Sequence, residues 1–92
     1  MNHPIYSLEW IREYSSCKKA EFLNPTTIEV YYRFDTETPE KIIPESIISF
    51  EGLCLVEAMG EEDNWLMGDI HDDGNLYCWA YYGTLPNAIN SL

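Results

Sequence analysis

The side chains best able to do chemistry in this chain fall in residues 68–83, GDIHDDGNLYCWAYYG, where Asp69, His71, Asp72 and Asp73 lie within five positions beside a run of aromatics. Carboxylates and an imidazole so close together could ligate a metal or exchange protons. Asp69, His71, Asp73 and Gly74 fall at positions 1, 3, 5 and 6 of the calcium-loop pattern, and Leu76 supplies its apolar residue at position 8. The pattern then fails: position 3 calls for Asp or Asn, position 12 holds Ala80 in place of Glu, and the flanks read as strands rather than helices.

A transition-metal site could draw on Asp69 and His71 with Cys78 across the strands, but a fuller ligand set is missing. The His71-Asp72 doublet is of a kind found in metal-dependent phosphohydrolases, whose sites need several more His and Asp ligands; here the other histidine is His3, near the chain's start. Nucleophilic catalysis lacks a base that the sequence places near Cys17, while Cys54 and Cys78 sit in apolar stretches typical of inert core thiols. Glu61, Glu62 and Asp63 lie in a polar turn where solvation keeps carboxylates ordinary, and glycine-rich phosphate loops are absent. The expectation is a chain without a catalytic set, a metal or a cofactor.

A β-hairpin must position these residues. With Asp73 and Gly74 as the central pair of a type I′ turn, His71 faces Leu76, Ile70 faces Tyr77, Asp69 faces Cys78, Gly68 faces Trp79 and Trp65 faces Tyr82. One face then gathers Leu66, Gly68, Ile70, Tyr77, Trp79 and Tyr81 with no charge, and Gly68 leaves room for the Trp79 indole. The other face mixes Trp65, Met67, Asp69, His71, Leu76, Cys78, Ala80 and Tyr82. Such a face is either covered by a helix or open to a partner, with Trp65 and Tyr82 as aromatic anchors in the second case.

Around this hairpin, Asn2 and Pro4 suit the start of an amphipathic helix over roughly residues 4–15, which turns Leu8, Ile11 and Tyr14 to one face with Trp10 alongside. KKAEFLN and TIEVYYRF, parted by the turn signal NPT, predict a second hairpin, with Ile28, Val30 and Tyr32 on one face and Glu29, Tyr31 and Arg33 on the other. Pro39 and Pro44 make residues 35–45 a loop. Residues 43–51 fit helix or strand equally, since Ile43, Ile47, Phe50 and Cys54 have helical spacing but Gly52 interrupts it; a strand follows at about 53–59 and a polar turn at 60–64. Thr84 and Pro86 open a short terminal helix that can turn Leu85, Ala88, Ile89 and Leu92 inward. The fold class expected is α+β: a single domain over residues 1–92, with an antiparallel sheet of four to five strands built from hairpins, an N-terminal helix and a short C-terminal helix.

Ninety-two residues suffice for one core that buries roughly 60–65% of the unfolded surface. A composition of 46% hydrophobic residues, with three Trp, seven Tyr and three Phe, belongs to a folded chain. Sixteen Asp and Glu against five Lys and Arg give a net charge of −11, which repels phosphate backbones and anionic lipid and steers in cationic partners. Three widely spaced cysteines form neither a disulfide framework nor a zinc knuckle, and no apolar run matches a signal peptide or a membrane span, so a reducing, cytoplasmic location is expected. These features lead to a non-catalytic module that binds a basic protein, in the manner of an inhibitor or immunity-type protein that neutralises a cationic nuclease. Glu61, Glu62, Asp63, Trp65, Asp72, Asp73 and Tyr82 are its expected contact residues, with no direct nucleic-acid or membrane binding. The alternatives are a homodimer that buries Met67, Leu76 and Tyr82, and a small metalloenzyme.

Overall fold

The computed structural model describes residues 7–33, 39–60 and 64–92. Helix α1 (Leu8–Ser15) is capped by Ser7, whose Oγ accepts the Trp10 N–H at 3.1 Å, and it stops at Ser16 in the left-handed conformation with φ 60°. Residues 1–6, which include the expected Asn2 and Pro4 start, lie outside the described residues. Ile11 is fully buried, and Tyr14 stacks on Trp10 one turn away, with ring centroids 4.8 Å apart. Thr84 caps the second helix, α2 (Leu85–Asn90), and Pro86 occupies its first turn, as expected. Leu85, Ala88 and Ile89 are buried, whereas Leu92 remains exposed. No helix among the described residues is long and apolar enough to cross a membrane.

Seven strands form the sheet: β1 (Glu21–Leu23), β2 (Val30–Tyr32), β3 (Glu40–Ile42), β4 (Pro44–Phe50), β5 (Leu53–Ala58), β6 (Trp65–Ile70) and β7 (Leu76–Tyr82). Their spatial order is β1-β4-β5-β6-β7-β2-β3, and the β2–β7 pairing is parallel. The α+β class with a helix near each end holds, but the sheet is larger than four to five strands and it is mixed. The additional strands are β3, from the segment that looked like loop, and β4, from the segment that fitted helix or strand equally. Proline is tolerated as the first residue of a strand, and Pro44 holds that position in β4, while Pro39 precedes β3.

The hairpin expected from residues 18–34 does not form. Its turn is present, since the Asn24 side chain accepts the Thr26 N–H at 2.9 Å, but the chain then runs on to a different part of the sheet. β1 pairs with β4, and β2 pairs with β7 and β3. The expected alternation survives this change of partner: Val30 is fully buried with Ile28 and Tyr32 packed beside it, and Tyr31 faces the other way. The stretch 43–51 resolves as β4, because Gly52 adopts φ 102° in the turn that joins Phe50 to Leu53 and no helix can pass through it.

Only Ile43 separates β3 from β4, although the two strands are five places apart in the sheet order. Five steps of about 4.8 Å would part them by roughly 24 Å in a flat sheet, far beyond the reach of one linking residue, so the sheet must curl. Its concave side closes over Val30, Ile47, Cys54, Val56, Leu66, Leu76 and Cys78, drawn from strands at both ends of the order. The convex side carries Ile48, Phe50, Leu55, Trp65 and Met67 beneath Ile11, Leu85, Ala88 and Ile89 of the two helices.

The β6–β7 hairpin departs from the type I′ reading in two linked ways. Asp73 does not have positive φ; Gly74 does, at 87°, the Gly74 N–H donates to the His71 carbonyl at 2.9 Å, and the His71 N–H donates to the Asn75 carbonyl at 2.9 Å. This is a loop over residues 72–74 with a left-handed glycine, and it pairs Ile70 with Leu76 rather than with Tyr77. A bulge then restores the expected register, because Gly68 faces Cys78, Met67 faces Ala80, and Trp79 is the additional residue. Gly68 makes no space for the indole. A Cβ there would lie 2.7 Å from the Cys78 Cα and closer still to the Tyr77 carbonyl oxygen, so backbone fills the site. Gly68→Ala should therefore cost about 3 kcal/mol of stability, the upper part of the overpacking range, because backbone must move to admit the methyl group. Urea unfolding monitored by tryptophan fluorescence measures this; an unchanged midpoint would contradict the close approach.

Candidate functional site

On the convex side, the helices cover only the half of β6 and β7 away from their turn, where Trp65, Met67, Ala80 and Tyr82 join the core. The bulge at Trp79 turns Tyr77 outward on the uncovered half. Asp69, Tyr77, Tyr31 and Lys41 then stand abreast on β6, β7, β2 and β3. The Tyr31 and Tyr77 rings stack with centroids 5.5 Å apart and planes 21° from parallel, and the His71 ring leans on Tyr77 at 4.5 Å.

Carboxylates fix both phenols. Tyr31 donates to Glu29 at 2.6 Å, and Tyr77 donates to Asp73 Oδ2 at 2.7 Å. The Glu29 carboxylate raises the Tyr31 pKa above the ordinary tyrosine value, chiefly by accepting its proton in a hydrogen bond. Asp73 Oδ1 accepts the Asn75 N–H at 2.9 Å, so both of its oxygens are engaged. The Asn75 N–H, then the Tyr77 hydroxyl, hold the Asp73 carboxyl below the ordinary aspartate value, and the nearby His71 adds to this. Asp69 Oδ1 and His71 Nε2 are 3.0 Å apart, and the Lys41 ammonium lies 3.9 Å from Glu29 at the far end of the row.

Of the acids that resembled a metal loop, Asp73 is thus occupied in shaping the turn and Asp69 lies against His71. Cys78 is buried on the concave side while Asp69 and His71 are on the convex surface, which removes the ligand set of Asp69, His71 and Cys78. Among the described residues, no three His, Cys, Asp or Glu side chains converge as a metal site. Burial pushes the Cys78 thiol up to about 12, with Cys54 and Asp69 contributing, and burial also raises Cys54, so neither supplies a thiolate near neutrality. Cys17 packs half-buried against the helix-side core.

Of the expected contact residues, Asp72 and Asp73 are exposed at the turn tip, beside the tyrosine row. Trp65 pairs with Tyr82 as expected but is only 5% exposed beneath the helices, and Tyr82 packs partly against the same cluster, so this pair belongs to the covered part of the face. Glu61, Glu62 and Asp63 lie outside the described residues. The dimer contact built on Met67 and Leu76 is not offered, since both are buried on opposite sides of the sheet. Tyr31 and Tyr77 escape the sequence reading because their meeting depends on a bulge; the signal that announces it is a glycine inside an apolar strand, Gly68.

Asp73 adds stability that is complete above the pKa of the unfolded chain and is lost as pH falls through its lower folded value. In a carboxyl-detected NMR titration, Asp73 should titrate below the bulk of the aspartates, and Tyr77→Phe should raise its midpoint while leaving the Asn75 contribution. No shift on removing the hydroxyl would rule out the Tyr77–Asp73 bond in solution. No protein family, characterised protein or solved structure matches this chain.

Proposed function

We propose that the protein is a non-catalytic binding module that docks a basic protein on the Tyr31–Tyr77 row and the acidic turn beside it. The observation that carries this reading is the pair of stacked tyrosines on the one half of the convex face that the helices leave open, each hydroxyl held by a carboxylate. Rings already fixed in place lose little conformational entropy on association. The surrounding charge favours a cationic partner, since Asp69, Asp72, Asp73 and Glu29 border the row, against Lys41 beside Glu29 and the exposed Arg33 two residues beyond Tyr31. Neutralisation of a cationic nuclease is the form of this activity that best suits the charge, with carboxylates in place of substrate phosphates.

Immobilised protein should retain a basic protein from its own cell lysate at low salt and release it as ionic strength rises, because screening shortens the reach of exposed charges. Once that partner is in hand, Tyr77→Ala should weaken its binding by about 2 kcal/mol, roughly thirtyfold in Kd, as expected of a central aromatic contact. Retention indifferent to salt, or affinity unchanged by Tyr77→Ala combined with Asp72→Asn, would overturn the proposal.

A further inference from the structure

Asp73-Gly74 is the one Asp-Gly or Asn-Gly step in the chain, and it stands at the exposed tip of the β6–β7 loop. We propose that this step is the chain's isoaspartate-forming site, and that the Tyr77 hydroxyl and the Asn75 N–H hold it unreacted in the folded protein. The reaction joins the Gly74 nitrogen to Asp73 Cγ. The nitrogen gives up its proton and attacks, so that an N–Cγ bond forms, a Cγ–O bond breaks, and the carboxyl's hydroxyl departs with that proton as water. Water then opens the succinimide ring. Attack at the Asp73 main-chain carbonyl breaks its bond to the Gly74 nitrogen and leaves the chain linked through Cγ, whereas attack at Cγ restores aspartate. Glycine makes the step susceptible because residue 74 has no side chain to hinder the approach.

The fold withholds both reacting groups. Asp73 Oδ1 accepts the Asn75 N–H at 2.9 Å and Oδ2 accepts the Tyr77 hydroxyl at 2.7 Å, so the carboxyl cannot turn onto residue 74 without breaking a bond. The Gly74 N–H is committed to the His71 carbonyl at 2.9 Å, inside a loop that the His71 N–H closes on the Asn75 carbonyl. The neutral acid is the reactive form, because its hydroxyl can leave as water; the Asn75 N–H, the Tyr77 hydroxyl and the nearby His71 all favour the carboxylate instead. Tyr77 alone among these groups reaches back from β7, and Tyr31 on β2 fixes its ring by stacking. The product would undo the arrangement. Isoaspartate carries the main chain through Cβ and Cγ and so lengthens a loop that must join Ile70 to Leu76, and it takes from Tyr77 and Asn75 the side-chain carboxylate they bind.

The test incubates the folded chain, the same chain unfolded in urea, and the variants Tyr77→Phe and Tyr31→Phe at neutral pH. Residue 73 is followed with an endoprotease that cuts before aspartate and passes over isoaspartate, and the uncut peptide is identified by mass spectrometry. The unfolded chain should form isoaspartate at residue 73 faster than at any other aspartate, and the folded chain about tenfold more slowly or slower still, since two hydrogen bonds must open first. Tyr77→Phe should speed the folded chain by about two- to tenfold, the factor that corresponds to one net hydrogen bond. Tyr31→Phe removes a hydroxyl from the stacked neighbour without touching Asp73 and should leave the rate as it was, which separates the bond to Asp73 from a general loosening of the row. If Tyr77→Phe does not fold, the comparison of folded and urea-unfolded chains decides. Isoaspartate that accumulates first at another aspartate would overturn the site, and equal rates in the folded and unfolded chains would overturn its protection. A Tyr77→Phe rate no higher than that of Tyr31→Phe would overturn the part given to the Tyr77 hydroxyl.

Discussion

Backbone packed against backbone at Gly68 governs which way the central strands face. The β7 chain approaches so closely that any side chain at residue 68 would strike it, and β7 takes in Trp79 as an additional residue at that point. Side chains alternate along a strand with a period of two, so one inserted residue reverses everything on its far side. Ala80 and Tyr82 therefore lie under the helices, while Leu76 and Cys78 enter the curl and Tyr77 comes to the surface. In an unbulged hairpin Tyr77 would point inward and Leu76 outward, and Val30 would lose Leu76 as its inward neighbour.

That parallel pairing of β2 with β7 joins core and surface in a single register. Val30 stands beside Leu76 within the curl, where burying such side chains stabilises by about 1.5–3 kcal/mol each. One residue further, the same pairing sets Tyr31 beside Tyr77 on the outside. The stack is thus held by contacts on the opposite side of the sheet as well as by its own rings. No charged side chain is buried among the described residues, so the acid excess is carried by the surface, where it repels itself and attracts cations.

Much of this architecture was legible in local chemistry. Thr84 with Pro86 announced the second helix, and the alternation through Ile28, Val30 and Tyr32 marked an inward and an outward face before any partner strand was known. Local signals misled where one residue type serves two purposes. Pro39 and Pro44 indicated a loop, yet a proline at the head of a strand gives up no ladder hydrogen bond, and β3 and β4 form beside them. Asp73-Gly74 suits a two-residue turn and also a longer loop with a left-handed glycine; the bulge at Trp79 is compatible with the second. The acidic turn tip at Asp72 and Asp73 could be read directly. Its aromatic neighbours could not, because Tyr31 and Tyr77 are forty-six positions apart in sequence and meet through a parallel register that no short stretch encodes.

Among the described residues the curl stops short of a closed barrel, so β1 and β3 form its borders. Each is only three residues long and begins with a glutamate, Glu21 or Glu40. A foreign strand laid along either border would find too few backbone donors and acceptors to hold it, and on an acidic neighbour it would meet like charge. Short borders that open on an acid oppose the edge-to-edge pairing by which sheets polymerise.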